Sequence, residues 1–260
     1  MLKKILICLT LLASSLAVLP TQAAENVVAI PQVSEGWRGS ISPYIWLTNV
    51  SGNAYYDQTR LGSVDYSSRD LIANLNFAGM LTAEVHNGKV GALGDWVFSR
   101  IHQQKSEIMG SSSFTSKTTV EQGIYTLAAT YTAYTTNDVY VDGLLGVRVM
   151  NKFVKTDINA TDGAVLAGKS QTRSITTPIV GMKGRMRISN SDYFVPFYLD
   201  VGGLQDDVEV TTQQMIGIGH AYEWGDVTIA VKNLYMRQKT DGITINQSLF
   251  GIAAGFTFRF

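Results

Sequence analysis

The feature that most constrains the fold is the alternation in the last ten residues, GIAAGFTFRF. Ile252, Phe256, Phe258 and Phe260 share one parity, whereas the opposite parity holds small residues and Arg259. A repeat of two residues is that of a β-strand, because its side chains point alternately to opposite faces. One face of this strand is therefore apolar and the other small or charged, which fits either a sheet edge in water or a barrel wall in lipid.

The N-terminus has the pattern of an export signal. Lys3 and Lys4 precede an apolar run over 5–19, and small residues lead up to Ala24. A basic start, an apolar segment and a small-residue cleavage site are the three parts of such a signal. We therefore expect 1–24 to be cleaved and the mature chain to lie outside the cytoplasm.

The composition of the mature chain indicates no strongly charged partner. The sequence is 16% charged and 45% hydrophobic, with 24 Gly, 12 Tyr and 10 Phe. Two of the 21 Lys and Arg residues lie in the signal, which leaves 19 basic against 21 acidic residues. This balance gives no reason to expect a nucleic acid partner. The single cysteine, Cys8, also lies in the signal, so we expect no disulfide in the mature chain.

Short and long connections alternate along the mature chain, and no stretch approaches the roughly 20 apolar residues of a spanning helix. Tight turns rich in Asn, Asp, Gly and Ser are predicted at 86–89, 135–138, 189–192 and 223–226. Longer polar connections are predicted at 50–73, 107–117 and 157–170, with shorter ones at 206–208 and 240–245. This rhythm is typical of outer-membrane barrels, which have tight periplasmic turns and longer outer loops.

The turns divide 37–260 into ten predicted strands, preceded by a short periplasmic segment over 25–36. The strands are expected near 37–49, 74–86, 89–106, 118–135, 138–156, 171–189, 192–205, 209–223, 226–239 and 246–260. The predicted fold is an all-β, transmembrane, antiparallel up-and-down β-barrel of ten strands, with eight or twelve as alternatives. The range 50–73 leaves two possibilities open, an extra hairpin or a short helix at 69–75.

Within these strands the charged residues fall on one parity, which we assign to the lumen. The predicted lumen charges are Glu84, Asp95, Asp142, Arg148, Lys183, Arg185, Arg187, Asp200, Lys232 and Arg259. Because buried charges need partners, we expect them to pair and fill a narrow interior. An open pore that favours anions is the alternative. Tyr44 and Trp46 are also expected to face inward, as lumen packing, a plug or an apolar ligand contact.

Two motifs resemble known outer-membrane proteins. Gly255, Phe258 and Phe260 form a C-terminal pattern similar to the signal that the barrel-assembly machinery reads. The segment WRGSISPYIWL, with Trp37 and Trp46, resembles the Trp-x5-Pro-Tyr-x-Trp start of a large, mostly uncharacterised family of proteobacterial outer-membrane β-barrel proteins. This resemblance covers nearly the whole mature chain. It implies an outer-membrane barrel that contacts outer-membrane lipid and uses the assembly machinery for insertion, and it does not imply a substrate.

The sequence offers little for catalysis or cofactor binding. The three histidines, His86, His102 and His220, have no metal-ligand spacing, and no Gly-x-Ser-x-Gly elbow is present. The nearest Ser/His arrangement is His102 with Ser99 or Ser106, for which polar side chains placed there by chance are the preferred interpretation. We therefore expect no metal, no cofactor and no enzyme activity.

Three functional hypotheses follow from the sequence. The first is a nonenzymatic barrel that acts as a narrow passive channel for a small solute or as an envelope-structural protein. The second is a lipid-modifying outer-membrane enzyme. The third is a surface adhesion protein that acts through its outer loops at 50–73 and 157–170.

Overall fold

A computed structural model describes residues 29–109, 112–160, 165–205 and 208–260, with side chains left out at 105–114, 160–166 and 204–207. The predicted signal peptide therefore lies outside the described residues. The elements are β1 (Trp37–Tyr56), β2 (Thr59–Tyr66), α1 (Ser68–Ala73), β3 (Leu75–Asn87), β4 (Val90–Met109), β5 (Ser112–Thr135), β6 (Val139–Ala160), β7 (Val165–Arg187), β8 (Tyr193–Gln205), β9 (Val208–Tyr222), β10 (Gly225–Thr240) and β11 (Ile243–Arg259).

The strands form a closed antiparallel barrel in which sequence neighbours pair from β3 to β11. The barrel closes because β11 also pairs with β1, for example at Trp46 and Ala253. Closure leaves no open sheet edge inside the hydrocarbon, where unpaired backbone groups cost several kcal/mol each. The predicted ten-strand barrel is confirmed, and β2 is one additional strand outside the ten.

The outer surface carries an apolar band bordered by aromatic rings. Leu145 and Ile252, in the middle of their strands, expose 67% and 56% of their surface. Near the tight turns Tyr222 stacks on Trp224 at 5.6 Å, and Trp224 lies 5.6 Å from the Phe258 ring. Along β11 the band extends over about ten residues, as a tilted transmembrane strand requires. Such a surface is compatible with lipid and incompatible with water.

Polar side chains mark the border of the band towards the longer connections, which we call the loop side. Outward-facing Arg100 and Glu121 form an ion pair of 2.9 Å on β4 and β5. On the neighbouring strands the Ser174 hydroxyl donates to the Asn151 side-chain oxygen at 2.7 Å. The outer surface therefore changes from apolar to polar on several strands at a similar height.

Two prolines mark the points where neighbouring strands separate. The pairing of β1 with β3 ends at Pro43, and the pairing of β7 with β8 reaches only Ile179, next to Pro178. Proline has no backbone N–H and cannot donate to a ladder, so pairing stops readily there. Beyond Pro43, β1 pairs with β2 from Val50 onwards.

The strands β4 to β7 are longer than the sequence predicted. The expected connection at 107–117 is mostly strand, since β4 continues to Met109 and β5 begins at Ser112. The connection at 157–170 is likewise strand up to Ala160 and from Val165. Both predictions of long loops were wrong, because polar strands that protrude into water have no apolar alternation to reveal them. We call the part of β4–β7 that lies on the loop side of Arg100, Glu121, Asn151 and Ser174 the strand extension.

The ambiguous range 50–73 contains both of the predicted alternatives. The loop-side half of β1 forms a hairpin with β2, and α1 follows directly. The Ser67 hydroxyl accepts from the Asp70 N–H, and the Asp70 carboxylate accepts from the Ser67 N–H, which is a capping box. Within the part of the chain that the structure describes, no helix is long and apolar enough to cross a membrane.

Candidate functional site

The lumen is the candidate site, and its tight-turn mouth contains the N-terminal segment. Ala29 and Ile30 expose only 1% of their surface, and Ala29 packs with Phe194 and Ala221. Phe194 and Ala221 stand on the lumen parity of β8 and β9. Ala29 and Ile30 belong to the segment 25–36, which was assigned to the periplasm from sequence. At least these two residues of the segment therefore lie inside the mouth of the barrel.

A cluster around Lys183 lies next to this mouth. The Lys183 ammonium is 2.5 Å from a Glu84 carboxylate oxygen and 3.2 Å from an Asp142 oxygen. The Thr132 hydroxyl donates to Asp142 at 2.8 Å, and the His86 Nε2 lies 3.5 Å from Glu84. One lysine thus bridges carboxylates from β3 and β6.

A second cluster is centred on Asp226, a fully buried carboxylate on β10. Arg185 Nη1 lies 2.7 Å from one oxygen of Asp226, and Arg259 Nη2 lies 3.1 Å from the other. The Arg185 guanidinium also stands over the Phe194 ring at 4.5 Å. Arg187, on the same parity as Arg185, donates to the Ser191 carbonyl at 2.7 Å. Arg187 therefore binds a turn.

The third cluster holds a completely buried arginine. Arg148 and Asp200 are both 0% exposed, and they form a two-pronged ion pair in which one contact, from Nη1, is 3.0 Å long. Arg148 also donates to Thr211 at 3.4 Å and to Gln213 at 3.3 Å. The planar guanidinium suits this role because its five N–H groups can bind several acceptors at once.

The fourth cluster joins Lys232 to Asp95. Their ammonium and carboxylate atoms are 3.2 Å apart, and the Tyr44 hydroxyl donates to Asp95 at 2.8 Å. Lys232 Nζ also lies 4.9 Å from the centre of the Trp46 ring, a distance that permits a cation–π contact. Tyr44 and Trp46 therefore face inward and serve as partners of a buried cation.

On the loop side of these clusters the lumen is filled by apolar side chains. This layer consists of Trp46, Val97, Ile124, Met150, Ile175, Val208, Leu234, Met236, Leu249 and Ala253. Nothing in the sequence singles the layer out, because a run of lumen positions can be polar or apolar without a change in period.

The ion pairs cross the lumen rather than line its wall. Lys183 on β7 and Glu84 on β3 are separated by three strands of the barrel, and so are Lys232 on β10 and Asp95 on β4. Side chains that meet from such distant strands must occupy the middle of the barrel. Together with the apolar layer on their loop side, they occupy the interior of the barrel.

Two charges of these clusters were missed from sequence. Asp226 was assigned to the edge of a tight turn, although it shares its parity with Lys232. Arg38, whose guanidinium donates to the Tyr140 hydroxyl at 2.8 Å, was also not recognised, although it shares its parity with Tyr44 and Trp46. The parity rule could have found both.

The histidines are distributed over different surfaces. His86 is buried in the lumen beside Glu84, whereas His220 lies among the outer aromatic rings, with Tyr193 at 4.5 Å. His102 faces outward and its Nδ1 lies 2.9 Å from the Thr119 hydroxyl, while Ser99 stands on the inward parity. Ser106 belongs to the side chains that are not described.

The predicted assembly residues lie on the closing strand. Gly255 pairs with Tyr44 of β1, and Phe258 contacts the aromatic ring of Trp224. Phe260 is 62% exposed, and a Cβ atom added to Gly39 would come within 2.6 Å of its ring. Glycine at position 39 therefore makes room for the terminal aromatic residue. Their role in assembly stays a prediction.

Among the described residues no group of three His, Cys, Asp or Glu side chains could hold a metal ion. The acidic lumen residues instead contact cations. The electrostatic arrangement therefore favours structural pairing over ligand binding by these carboxylates.

Comparisons with known proteins support the fold. No family model and no curated protein matches the sequence, so the family resemblance stays a prediction. The outer membrane protease OmpT from Escherichia coli is similar in structure, with a TM-score of 0.56, 9% identity and coverage of 88% of this chain and 99% of that chain. At this identity the likeness concerns the fold alone.

Two further solved structures have lower TM-scores. The attachment invasion locus protein Ail of Yersinia pestis gives a TM-score of 0.34 at 12% identity, covering 86% of this chain and 100% of that chain. OprG from Pseudomonas aeruginosa gives a TM-score of 0.30 at 11% identity, covering 90% of this chain and 99% of that chain.

The closed barrel and its apolar outer band define the class of protein. The predicted outer-membrane β-barrel is confirmed.

Proposed function

We propose that this protein is a nonenzymatic, envelope-structural barrel that does not conduct solutes and acts through surfaces outside its lumen. The observation that carries the proposal is the set of ion pairs across the lumen, of which Lys183 with Glu84 and Lys232 with Asp95 span the greatest number of strands. A conducting pore needs a continuous water path, and these pairs occupy it.

The burial of the charges supports a closed lumen. Arg148, Asp200 and Asp142 are each 0% exposed, as is Asp226 near the tight-turn mouth. A charge in an aqueous channel would keep contact with water, because desolvation of an ion is costly. A ten-stranded barrel is also narrow enough for side chains to fill it, as they do in small barrels.

The proposal assigns no hydrolytic role, although the similar OmpT structure is named a protease. That likeness reaches only 9% identity and concerns the fold alone. Of the two Ser/His arrangements in the sequence, His102 with Ser99 is not supported, since His102 faces outward to Thr119 and Ser99 faces inward. The arrangement of His102 with Ser106 lies outside the described side chains.

The strand extension is the surface that such a barrel offers to its surroundings. Lys155, which is exposed, forms an ion pair of 2.9 Å with the partly exposed Asp157, and Gln171 and Thr172 are exposed. Within the described part of the chain, β7 from Val165 to Thr177 pairs only with β6. An unpaired strand edge in water is able to bind an extended partner, and this property favours the adhesion hypothesis as the form the outer contact takes.

Ion conductance tests the proposal. The purified protein is inserted into planar bilayers, and Lys155→Gln, which changes the extension, serves as the control for Lys183→Gln, which changes the lumen. We expect neither the wild type nor the control to conduct. A wild type that conducts with an anion preference, weakened in Lys183→Gln and unchanged in Lys155→Gln, would show that the lumen is an open channel and would overturn the proposal.

A further inference from the structure

Polar side chains form a hydrogen-bonded row on the outer face of β9, β10 and β11. The Gln214 amide donates to the Thr212 hydroxyl at 2.7 Å, the Asn233 amide donates to Gln214 Oε1 at 2.9 Å, and the Ser248 hydroxyl donates to Asn233 Oδ1 at 2.9 Å. We call these four residues the polar row. It continues across three strands, whereas the contacts of Arg100 with Glu121 and of Ser174 with Asn151 at this border are single pairs.

The polar row lies directly above the apolar band. Ile216, Val231 and Phe250 follow on the same outward parity, with 60%, 44% and 52% of their surface exposed. Together with Gln214, Asn233 and Ser248 these side chains line a groove of about 440 Å³. One wall is apolar and the other offers hydrogen bonds.

The amides in the row retain hydrogen-bonding capacity. A carboxamide nitrogen has two N–H groups, and Gln214 and Asn233 each use one of them within the row. At the edge of the hydrocarbon a polar group gains from every further partner, because water is scarce there. A ligand at this position would therefore present carbonyl or hydroxyl oxygens to the row and acyl chains to the apolar wall.

The charge pattern of β10 indicates a phosphate on the loop side of the row. Arg237 and Lys239 stand on the same outward parity as Asn233, four and six residues further along the strand. Arg237 contacts Glu209 at 2.7 Å while both side chains remain substantially exposed, and Lys239 is exposed. Going towards the loop side, the outer face of β10 thus changes from the apolar Val231 to the Asn233 amide and the Tyr235 ring, and then to two cationic side chains.

The width of the row distinguishes between kinds of lipid. Neighbouring strands are about 4.8 Å apart, so three strands present hydrogen-bonding groups over roughly 10 Å. A single phosphodiester is narrower than this, whereas a sugar headgroup with several hydroxyl and amide groups covers it. We propose that this groove binds a phosphorylated glycolipid of the surrounding membrane leaflet, with its acyl chains on Ile216, Val231 and Phe250.

Lipid binding measured by native mass spectrometry tests this site. The probes are a purified phosphorylated acyl-glucosamine lipid and phosphatidylethanolamine, each titrated into the detergent-solubilised protein. The variant Gln214→Leu/Asn233→Leu removes the amide groups. Its control, Asn151→Leu/Ser174→Ala, removes the outward polar pair on β6 and β7 at a similar height.

We expect the wild type and the control to prefer the glycolipid, and the groove variant to bind it about tenfold more weakly, as the loss of two hydrogen bonds implies. Heat-modified migration in gels verifies that all variants are folded. Equal binding of the glycolipid by both variants would overturn the proposal, and so would equal binding of the two lipids by the wild type, which would identify ordinary boundary lipid.

Discussion

The same four strands, β4 to β7, pass through two different environments. Inside the membrane the outward residues are apolar, such as Leu145, and the inward residues include the buried Arg148. In the strand extension polar side chains occur on the outward face, and ion pairs such as Lys155 with Asp157 are accessible to water. The backbone pairing continues without interruption between the two regions, for example from Val149 to Lys155 of β6, which pair with β5.

This difference shows that backbone pairing does not depend on the surrounding solvent, whereas the polarity of the side chains does. Backbone groups pair in both regions because a β-strand satisfies them equally well in lipid and in water. The side chains follow the solvent, so an ion pair has different consequences in the two regions. In the lumen an ion pair offsets the free-energy cost of burying its two charges. In the extension water competes with each partner for the other's charge, so the pair adds little stability.

The largest difference is expected when one partner of an ion pair is removed. Arg148→Met leaves Asp200 buried without its cation, which should lower the free energy of unfolding by about 3–5 kcal/mol. Lys155→Met, the matched change in the extension, should cost at most about 1 kcal/mol because its pair is exposed. Urea unfolding in detergent, followed by tryptophan fluorescence, measures both values.

The double variant Arg148→Met/Asp200→Leu sharpens this result. Because neither partner then remains as an isolated buried charge, much of the lost stability should return. Equal losses for Arg148→Met and Lys155→Met would mean that water reaches both pairs, and the contrast between the regions would fail.

A somewhat smaller effect is expected from a charge placed on the outer face. Leu145→Arg puts a cation against the middle of the apolar band and should cost about 2–4 kcal/mol. Thr172→Arg, on the outward face of the extension, should change the free energy of unfolding by less than about 0.5 kcal/mol. Unfolding in lipid vesicles is the measurement, and similar costs at both positions would contradict the assigned height of the membrane border.

The smallest effect concerns the capping box of α1, outside the membrane segment. Hydrogen bonds from the Ser67 hydroxyl and then its N–H hold the pKa of Asp70 below its ordinary value of 3.8. A lowered pKa means that the charged carboxylate stabilises the cap at neutral pH, and that this contribution is lost as the pH falls through that lowered value. The helix should therefore keep its cap from pH 7 to about 4 and loosen at lower pH.

Titration of the Asp70 carboxyl by NMR measures this effect. Ser67→Ala removes the hydroxyl donor, so the midpoint of Asp70 should move up towards 3.8. Identical Asp70 midpoints in the wild type and in Ser67→Ala would show that the capping box does not form in solution.

Much of the barrel could be predicted from the sequence. Alternation along β11, from Ile252 to Phe260, separates an apolar from a polar face, and turn residues such as Asn87 and Gly88 mark strand ends. Both signals are local, because side-chain parity and turn conformation depend on a few consecutive residues. The extent of β4 to β7 could not be predicted, since their polar ends lack this alternation.

The sequence by itself determined that the chain forms a closed barrel and which parity its charges occupy. Only the tertiary structure decided which charges meet, such as Lys183 with Glu84 across the lumen and Asp226 between two arginines. The physical reason is that parity is fixed within one strand, whereas a contact across the lumen depends on the register of every strand between its partners. The pairings across the lumen are therefore not encoded by any single strand.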